Sequence, residues 1–176
     1  MKKHQKALLI AAALWVSTFP FSGFGTGAAY AATPAAVLPA RSQMKQSSIS
    51  ELTNDTRVFK VDPKIEAKNV RFQNRYGFDI AGHLYLPKNF DAQKQYKAVV
   101  VSGPFGAVKE QSSGLYAQEM AKHGYVAVAF DPSMTGESGG TRRNMASPDI
   151  FVEDYSAAVD FISNLKFVNP DKVGAI

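Results

Sequence analysis

Two short glycine-containing segments have residue types that could take part in acyl-transfer chemistry. The first runs from Ser102 to Gln111 and places Gly103, Pro104 and Gly106 directly after an apolar run. Such a turn can present free backbone N–H groups to a developing negative charge. The second, residues 136–140, reads Gly-Glu-Ser-Gly-Gly and fits the G-x-S-x-G pattern that carries a nucleophilic serine.

The surroundings of Ser138 argue against a nucleophile at that position. A nucleophile elbow directly follows its strand and enters a helix, so that backbone strain exposes the hydroxyl. Here residues 131–135 separate the motif from the buried run that ends at Phe130, and no helical stripe follows the motif. We therefore expect Asp131 and Ser138 to belong to a loop beside a pocket mouth, where the Asp131 carboxylate caps a turn.

Other kinds of site fit the sequence poorly. The loop at Ser102 could cradle a phosphate, but neither the dinucleotide glycine pattern nor a P-loop is present, so no nucleotide cofactor is predicted. No grouping of His, Asp and Glu has the spacing of a metal site. His4, His83 and His123 are each expected to be surface residues. The chain has no cysteine, so it forms no disulfide and supplies no thiol.

The N-terminus has the composition of an export signal. Lys2, Lys3 and Lys6 precede the apolar run of residues 7–21, and Ala29-Tyr30-Ala31 provides a small-residue cleavage site. Residues 1–31 are therefore predicted to be a signal peptide, so that the protein is periplasmic or secreted and keeps no membrane anchor after cleavage. The remaining chain has 17 basic and 15 acidic residues, a balance that does not suggest a nucleic-acid partner.

The rest of the sequence predicts an α/β fold. Residues 32–67 are poor in large apolar side chains and are expected to form a flexible arm. Residues 70–86 alternate like a hairpin, and three apolar runs without alternation are typical of strands buried on both faces. Apolar residues at helical spacing lie between these runs and predict two helices. Ser112 or Ser113 is expected to cap the N-terminus of the first helix, and Ser147 that of the second. The predicted segments are the hairpin with its turn at 74–77, strands at 98–101, 125–130 and 173–176, a helix that ends at Gly124, and a helix that ends at 169–171.

Several of these segments resemble the α/β-hydrolase superfamily, and within it the dienelactone-hydrolase-like and YcjY-type branch. The resemblance lies in the hairpin at 76–87, the strand and loop at 99–111, the strand and loop at 125–140, and the helix at 152–160. It spans residues 68–176. The superfamily fold implies that the hairpin and the parallel strands form the N-terminal part of a hydrolase sheet that stops at the fifth strand of the superfamily.

The resemblance also implies roles for single residues. Phe105 matches the position whose backbone N–H binds the oxyanion, although Gly103 stands where the family usually has histidine. The alternative is that the glycines only allow the loop to turn. The nucleophile, serine or cysteine, and its acid and histidine partners would follow Ile176, so the chain as given is expected to be inactive. The intact protein would act on a small ester-like substrate without a cofactor.

A second interpretation is a non-catalytic interaction module or a fragment without independent function. The strand order of the superfamily would leave a central strand at the edge of this sheet, and exposed apolar edges recruit other chains. Under this interpretation, self-association through that edge is expected.

Overall fold

Six strands form one mixed sheet in the computed structural model, which describes residues 46–176. The predicted signal peptide and the first part of the predicted arm lie outside the described residues. The strands are β1 (Ser48–Glu51), β2 (Glu66–Gln73), β3 (Asp79–Leu86), β4 (Tyr96–Val101), β5 (Val126–Phe130) and β6 (Val168–Ala175). Their order across the sheet is β1-β2-β3-β5-β4-β6. The pairs β1–β2, β2–β3 and β3–β5 are antiparallel, whereas β4 runs parallel to both β5 and β6.

Two helices connect the parallel strands and cover the two faces of the sheet. Helix α1 (Ser112–Lys122) lies between β4 and β5 in the chain, and α2 (Pro148–Ser163) lies between β5 and β6. Successive side chains of a strand point to opposite faces. Accordingly, Val128 and Phe130 pack in the core beneath α2, whereas Ala127 and Ala129 pack beneath α1. This two-sided burial is what the apolar runs predicted, and the α/β fold class is confirmed. Neither helix is long and apolar enough to span a membrane.

The hairpin and its turn are confirmed. The Gly77 N–H donates to the Asn74 carbonyl at 3.0 Å, and β2 then pairs with β3 along its whole length. Gly77 has a φ of 81°, which lies in the left-handed region where a side chain is disfavoured. The turn therefore requires glycine here, as the sequence indicated.

The described part of the predicted flexible arm is ordered. Strand β1 pairs with β2, the Val58 N–H donates to the Glu110 carbonyl at 3.0 Å, and Ile65 is buried. Composition underestimates this order because backbone hydrogen bonds to an existing sheet edge need no large apolar side chains.

The helix ends differ from prediction in three places. Neither Ser112 nor Ser113 caps α1: Gln111 occupies the cap position, and the Ser113 hydroxyl donates to the Val108 carbonyl at 3.4 Å. Ser147 does precede α2 as expected, but without a side-chain cap bond. Helix α2 ends at Ser163 rather than at residues 169–171: the Asn164 side chain donates to the Asp160 carbonyl, a turn follows at residues 164–167, and β6 begins at Val168.

Strand β6 lies at the edge of the sheet, next to β4. The strand order therefore agrees with the exposed edge that the resemblance implied. The expectation of a buried strand at 173–176 is wrong, because these residues are half-buried or exposed and in β6 only Val168 is fully buried. An edge strand has a neighbour on one side only, so its side chains keep more contact with solvent.

Candidate functional site

The loop after β4 forms a tight turn that leaves one backbone donor free. The Ala107 N–H donates to the Pro104 carbonyl at 2.9 Å, and Gly106 has a φ of 83°. A positive φ at the third position is the mark of a type II turn and explains the glycine. The Phe105 N–H meets no acceptor within residues 46–176, and the Phe105 side chain is 63% exposed. This amide is therefore available to a ligand.

A cleft of about 170 Å³ opens beside this turn. It lies at the carboxyl ends of β4 and β5, where open α/β sheets bind ligands. Among residues 46–176, no charged side chain lines it. Aromatic rings and prolines supply most of the lining, and the hydroxyl-bearing residues Ser102 and Thr135 complete it; the apolar lining residues are Pro104, Phe105, Phe130, Pro132, Phe151 and Tyr155.

The C-terminal end of β6 reaches the same place. The Ile176 N–H donates to the Val100 carbonyl at 2.9 Å, and the Ile176 carbonyl accepts from the Ser102 N–H at 3.3 Å. The Tyr155 hydroxyl donates to the same carbonyl at 2.9 Å. Strands β4 and β6 and helix α2 thus converge on the cleft.

A buried ion cluster, which the sequence did not reveal, holds the loop after β4 in place. The Lys109 side chain is only 1% exposed, and its Nζ lies 3.2 Å from Asp131 Oδ2 and 2.5 Å from Glu110 Oε1. The Asp131 carboxylate also accepts the backbone N–H groups of Lys109 at 2.7 Å and of Glu137 at 2.9 Å. One carboxylate therefore joins the loop after β4 to the loop after β5.

Burial and charge oppose each other in this cluster. Burial raises the pKa of Asp131, while the charge of Lys109 acts to lower it. Burial would lower the pKa of Lys109, but the hydrogen bond to Glu110 and the charge of Asp131 outweigh burial and raise it. Lys109 therefore remains a cation, and its charge compensates the buried carboxylate.

Ser138 has a structural role. Its hydroxyl donates to the Asp131 carbonyl at 2.7 Å and accepts the Ala81 N–H at 2.9 Å, and its side chain is buried. The sequence argument against a nucleophilic Ser138 agrees with this arrangement. Asp131 does cap a turn through its carboxylate. However, neither Asp131 nor Ser138 lines the cleft; the same loop contributes Pro132 and Thr135 instead.

A second buried carboxylate anchors the other side of this loop. Asp154 of α2 accepts the Ser133 N–H at 2.7 Å, the Ser133 hydroxyl at 2.7 Å and the Asn74 side-chain amide at 2.8 Å. Burial raises the pKa of Asp154, and the bonds from Ser133 oppose that rise. Sequence reasoning missed this role, although an acid at the helical spacing of Phe151 and Ala158 was a usable signal.

The three histidines have different positions. His83 is only 2% exposed, so the expectation of a surface residue is wrong. It lies on β3, between β2 and β5, and every residue of β3 after Asp79 is buried. Burial and the charge of Lys109 lower the pKa of His83 to about 4. His123 is exposed at the end of α1, as predicted, and His4 lies outside the described residues. Residues 46–176 contain no group of three potential metal ligands.

Comparison with known proteins places this geometry among its relatives. No protein-family model matches the chain. The chain is 59% identical over 120 residues to the uncharacterized protein PA2218 of Pseudomonas aeruginosa, which covers 68% of this chain and 32% of that protein. It is 41% identical over 103 residues to the uncharacterized protein YcjY of Escherichia coli, and the match covers 58% of this chain and 34% of YcjY. A thiohydrolase of Eupenicillium brefeldianum is 33% identical over 106 residues, and the match covers 60% of this chain and 33% of the thiohydrolase. The chain thus spans about a third of the length of these curated relatives.

Solved structures agree with these matches. The crystal structure of PA2218 superposes with a TM-score of 0.67 at 55% identity, over 73% of this chain and 40% of that one. The α/β hydrolase GrgF from Penicillium shares the fold with a TM-score of 0.56 at 23% identity, and the match covers 62% of this chain and 36% of GrgF. The sheet order, the two helical crossovers and these solved structures show that the described residues have an α/β fold similar to that of the α/β hydrolases. In sequence, the chain is similar to PA2218 and YcjY over the matched part.

Proposed function

We propose that this chain works as the N-terminal part of an exported acyl hydrolase that cleaves small ester-like substrates. The observation that carries the proposal is the free Phe105 N–H at the edge of an uncharged cleft. A preorganised amide of this kind stabilises the negative charge that develops on a carbonyl oxygen during acyl transfer. The thiohydrolase among the relatives supports the same reaction class.

The reaction requires a nucleophile beside this amide. In the superfamily, the nucleophile follows the strand that corresponds to β6, and the hydrogen bonds of Ile176 to Val100 and Ser102 bring the end of β6 against the loop. An activated serine or cysteine at that place would attack the substrate carbonyl, and an acyl-enzyme would form and then hydrolyse. The reading frame after Ile176 tests this directly, because it should continue with Gly-x-Ser-x-Gly or Gly-x-Cys-x-Gly.

Replacement of Phe105 by proline tests the role of the amide. Proline removes the N–H and suits the second position of a type II turn, so the turn should persist. Phe105→Ala is the matched control, since it removes the ring and keeps the N–H. In the longer protein, we expect Phe105→Pro to lower kcat for p-nitrophenyl esters about 100-fold or more. Equal losses in the two variants, or full activity in Phe105→Pro, would refute the role of the amide.

The 176-residue chain by itself should form no acyl-enzyme. Ser138, the serine in the nucleophile-like motif, is buried, and its hydroxyl donates to the Asp131 carbonyl and accepts the Ala81 N–H. Mixing the chain with a chromogenic ester should therefore give no burst of product. A stoichiometric burst would show that the chain carries its own nucleophile.

Export is part of the proposal and has its own test. Residues 1–31 have the charge, the apolar run and the cleavage site of a signal peptide. Mass spectrometry of the protein recovered outside the cytoplasm should show a mature N-terminus at Ala32. Recovery of the intact N-terminus from the cytoplasm alone would contradict export.

The edge position of β6 favours a second candidate, an interaction module. β6 pairs with β4 on one side and with no other strand of the described residues, and free strand edges bind other strands. Under this candidate the 176-residue chain forms oligomers that size-exclusion chromatography would detect at micromolar concentration. A monomeric chain would exclude the candidate.

A further inference from the structure

We propose that the cleft beside Phe105 binds the acyl group of the substrate, and that this group is uncharged, apolar and about the size of one aromatic ring. The inference rests on the proposed function, since it assigns the part of the substrate attached to the reacting carbonyl. The acyl group stays beside the oxyanion donor through both steps of an acyl-enzyme mechanism, whereas the alcohol leaves after the first. A cleft bordered by the donor turn therefore suits the acyl group.

The volume of the cleft sets the size of the group. An apolar protein cavity of about 150 Å³ is known to hold one benzene molecule. The cleft here measures about 170 Å³ and is therefore large enough for one six-membered ring or a short chain of similar volume. A long acyl chain would have to extend past the exposed Phe105 ring into solvent.

The lining sets the chemistry of the group. One pair of aromatic rings forms part of the wall: Phe130 and Tyr155 pack edge to face, with centroids 5.1 Å apart and an interplanar angle of 86°. In the described part of the chain, no lining side chain carries a charge that could pair with a charged ligand, and an unpaired charge is costly to bury. The cleft therefore favours neutral acyl groups over carboxylates or amines of the same size.

The one serine of the lining keeps its hydroxyl oxygen out of the cleft. Ser102 lines the cleft at the end of β4, but its hydroxyl oxygen is buried and has no hydrogen-bond partner among residues 46–176. The wall at Ser102 therefore offers no accessible polar atom to a ligand, which agrees with an apolar acyl group.

The walls of this subsite are fixed before a ligand arrives. The Tyr155 hydroxyl is bonded to the Ile176 carbonyl, Phe130 is buried at the end of β5, and Thr135 belongs to the loop that Asp131 and Asp154 anchor. A preformed site loses less conformational entropy on binding than a flexible one. The subsite should therefore bind small neutral rings even without the catalytic residues.

Binding to the 176-residue chain tests the subsite independently of catalysis. Saturation-transfer NMR would compare benzyl alcohol with benzoate, which has a ring of the same size and a charge. We expect benzyl alcohol to bind at least about tenfold more tightly, because benzoate must bury its carboxylate. Ser102→Leu should abolish the benzyl alcohol signal by filling the cleft, and it removes a hydroxyl that makes no bond. Val152→Ala, which alters an exposed neighbour of Phe151, should leave the signal unchanged.

Equal binding of the two probes, or an unchanged signal in Ser102→Leu, would overturn the subsite. Far-UV circular dichroism would confirm that Ser102→Leu is folded. If it is not, Phe151→Ala replaces it, because removal of that wall should weaken binding of benzyl alcohol while Val152→Ala again does not.

Hydrolysis by the longer protein separates this inference from the proposed function. We expect higher kcat/KM for p-nitrophenyl phenylacetate than for the dodecanoate or for the charged hydrogen succinate, and Phe151→Ala should shift the preference toward the longer chain. Hydrolysis of all three esters with no preference overturns the subsite and keeps the proposed function. If no ester is hydrolysed while the neutral ring still binds, the proposed function fails and the binding subsite stands.

Discussion

Acidification from pH 7 to pH 5 should destabilise the fold through the buried His83. The side chain is 2% exposed, and burial together with the charges of Lys109 and Arg57 lowers its pKa to about 4, although Glu110 and Glu137 act in the opposite direction. In the unfolded chain, the histidine pKa is 6.5. The unfolded state therefore binds more protons between these two values, so stability is lost as the pH falls through this window.

The size of the effect follows from the two pKa values. With a pKa of about 4 in the folded state and 6.5 in the unfolded state, proton binding by His83 lowers the free energy of unfolding by about 2 kcal/mol from pH 7 to pH 5. Burial raises the pKa values of Asp131 and Asp154, and such groups act with the opposite sign. Their folded forms bind protons more tightly than the unfolded chain, so acidification stabilises the fold through them. The contribution of His83 must therefore be measured as a difference between variants.

Urea denaturation followed by far-UV circular dichroism at both pH values provides this difference. His83→Gln cannot take up a proton, so its free energy of unfolding should fall by about 2 kcal/mol less than that of the wild type. His123→Gln is the control, since His123 is exposed at the end of α1, and it should follow the wild type. An equal pH dependence in His83→Gln and in the wild type would refute the argument that His83 is buried in its neutral form.

Two further substitutions test the interior of the site. Lys109→Met leaves the Asp131 carboxylate buried without its cation and should lower the free energy of unfolding by about 3–5 kcal/mol in urea denaturation. The control Lys94→Met changes an exposed lysine and should have little effect. An equally small loss for Lys109→Met would contradict a buried Lys109–Asp131 ion pair. Ser138→Ala removes the acceptor of the Ala81 N–H and should cost about 1–3 kcal/mol in the same assay. Ester hydrolysis by the longer protein should survive in Ser138→Ala, and its loss in a folded variant would restore Ser138 as a nucleophile.

Apart from β1, which lies in the predicted flexible arm, the element types were predictable because each depends on local patterns of apolar residues. The run at 98–101 has side chains suitable for both faces, and the structure buries it between the cores under α1 and α2. The Asn74–Gly77 turn was predictable because glycine tolerates its positive φ. The role of the Phe105 amide comes from the resemblance and stays a prediction; within residues 46–176 this N–H has no acceptor and can donate to a ligand.

The buried polar groups were not predictable in the same way. His83 alternates with apolar residues on β3, and a sequence pattern does not show that α1 and its preceding loop will cover that face. Lys109 lies two residues before Gln111, in the loop between β4 and α1, and a lysine in a loop is usually exposed. Its burial depends on Asp131, which follows a different strand, so only the folded arrangement brings the pair together.

The polar residues that drew attention in the sequence turned out to stabilise the loop rather than line the cleft, and the backbone explains why. The loop after β5 has no regular secondary structure, so its buried N–H and C=O groups need side-chain partners. Asp131 and Ser138 supply several of them, and Arg143 donates to the carbonyls of Gly136 and Ser138. With these residues committed to the loop, its surface toward the cleft can be apolar. A polar motif in such a loop therefore indicates how the wall of the cleft is held, while the uncharged residues between the polar ones determine what the cleft can bind.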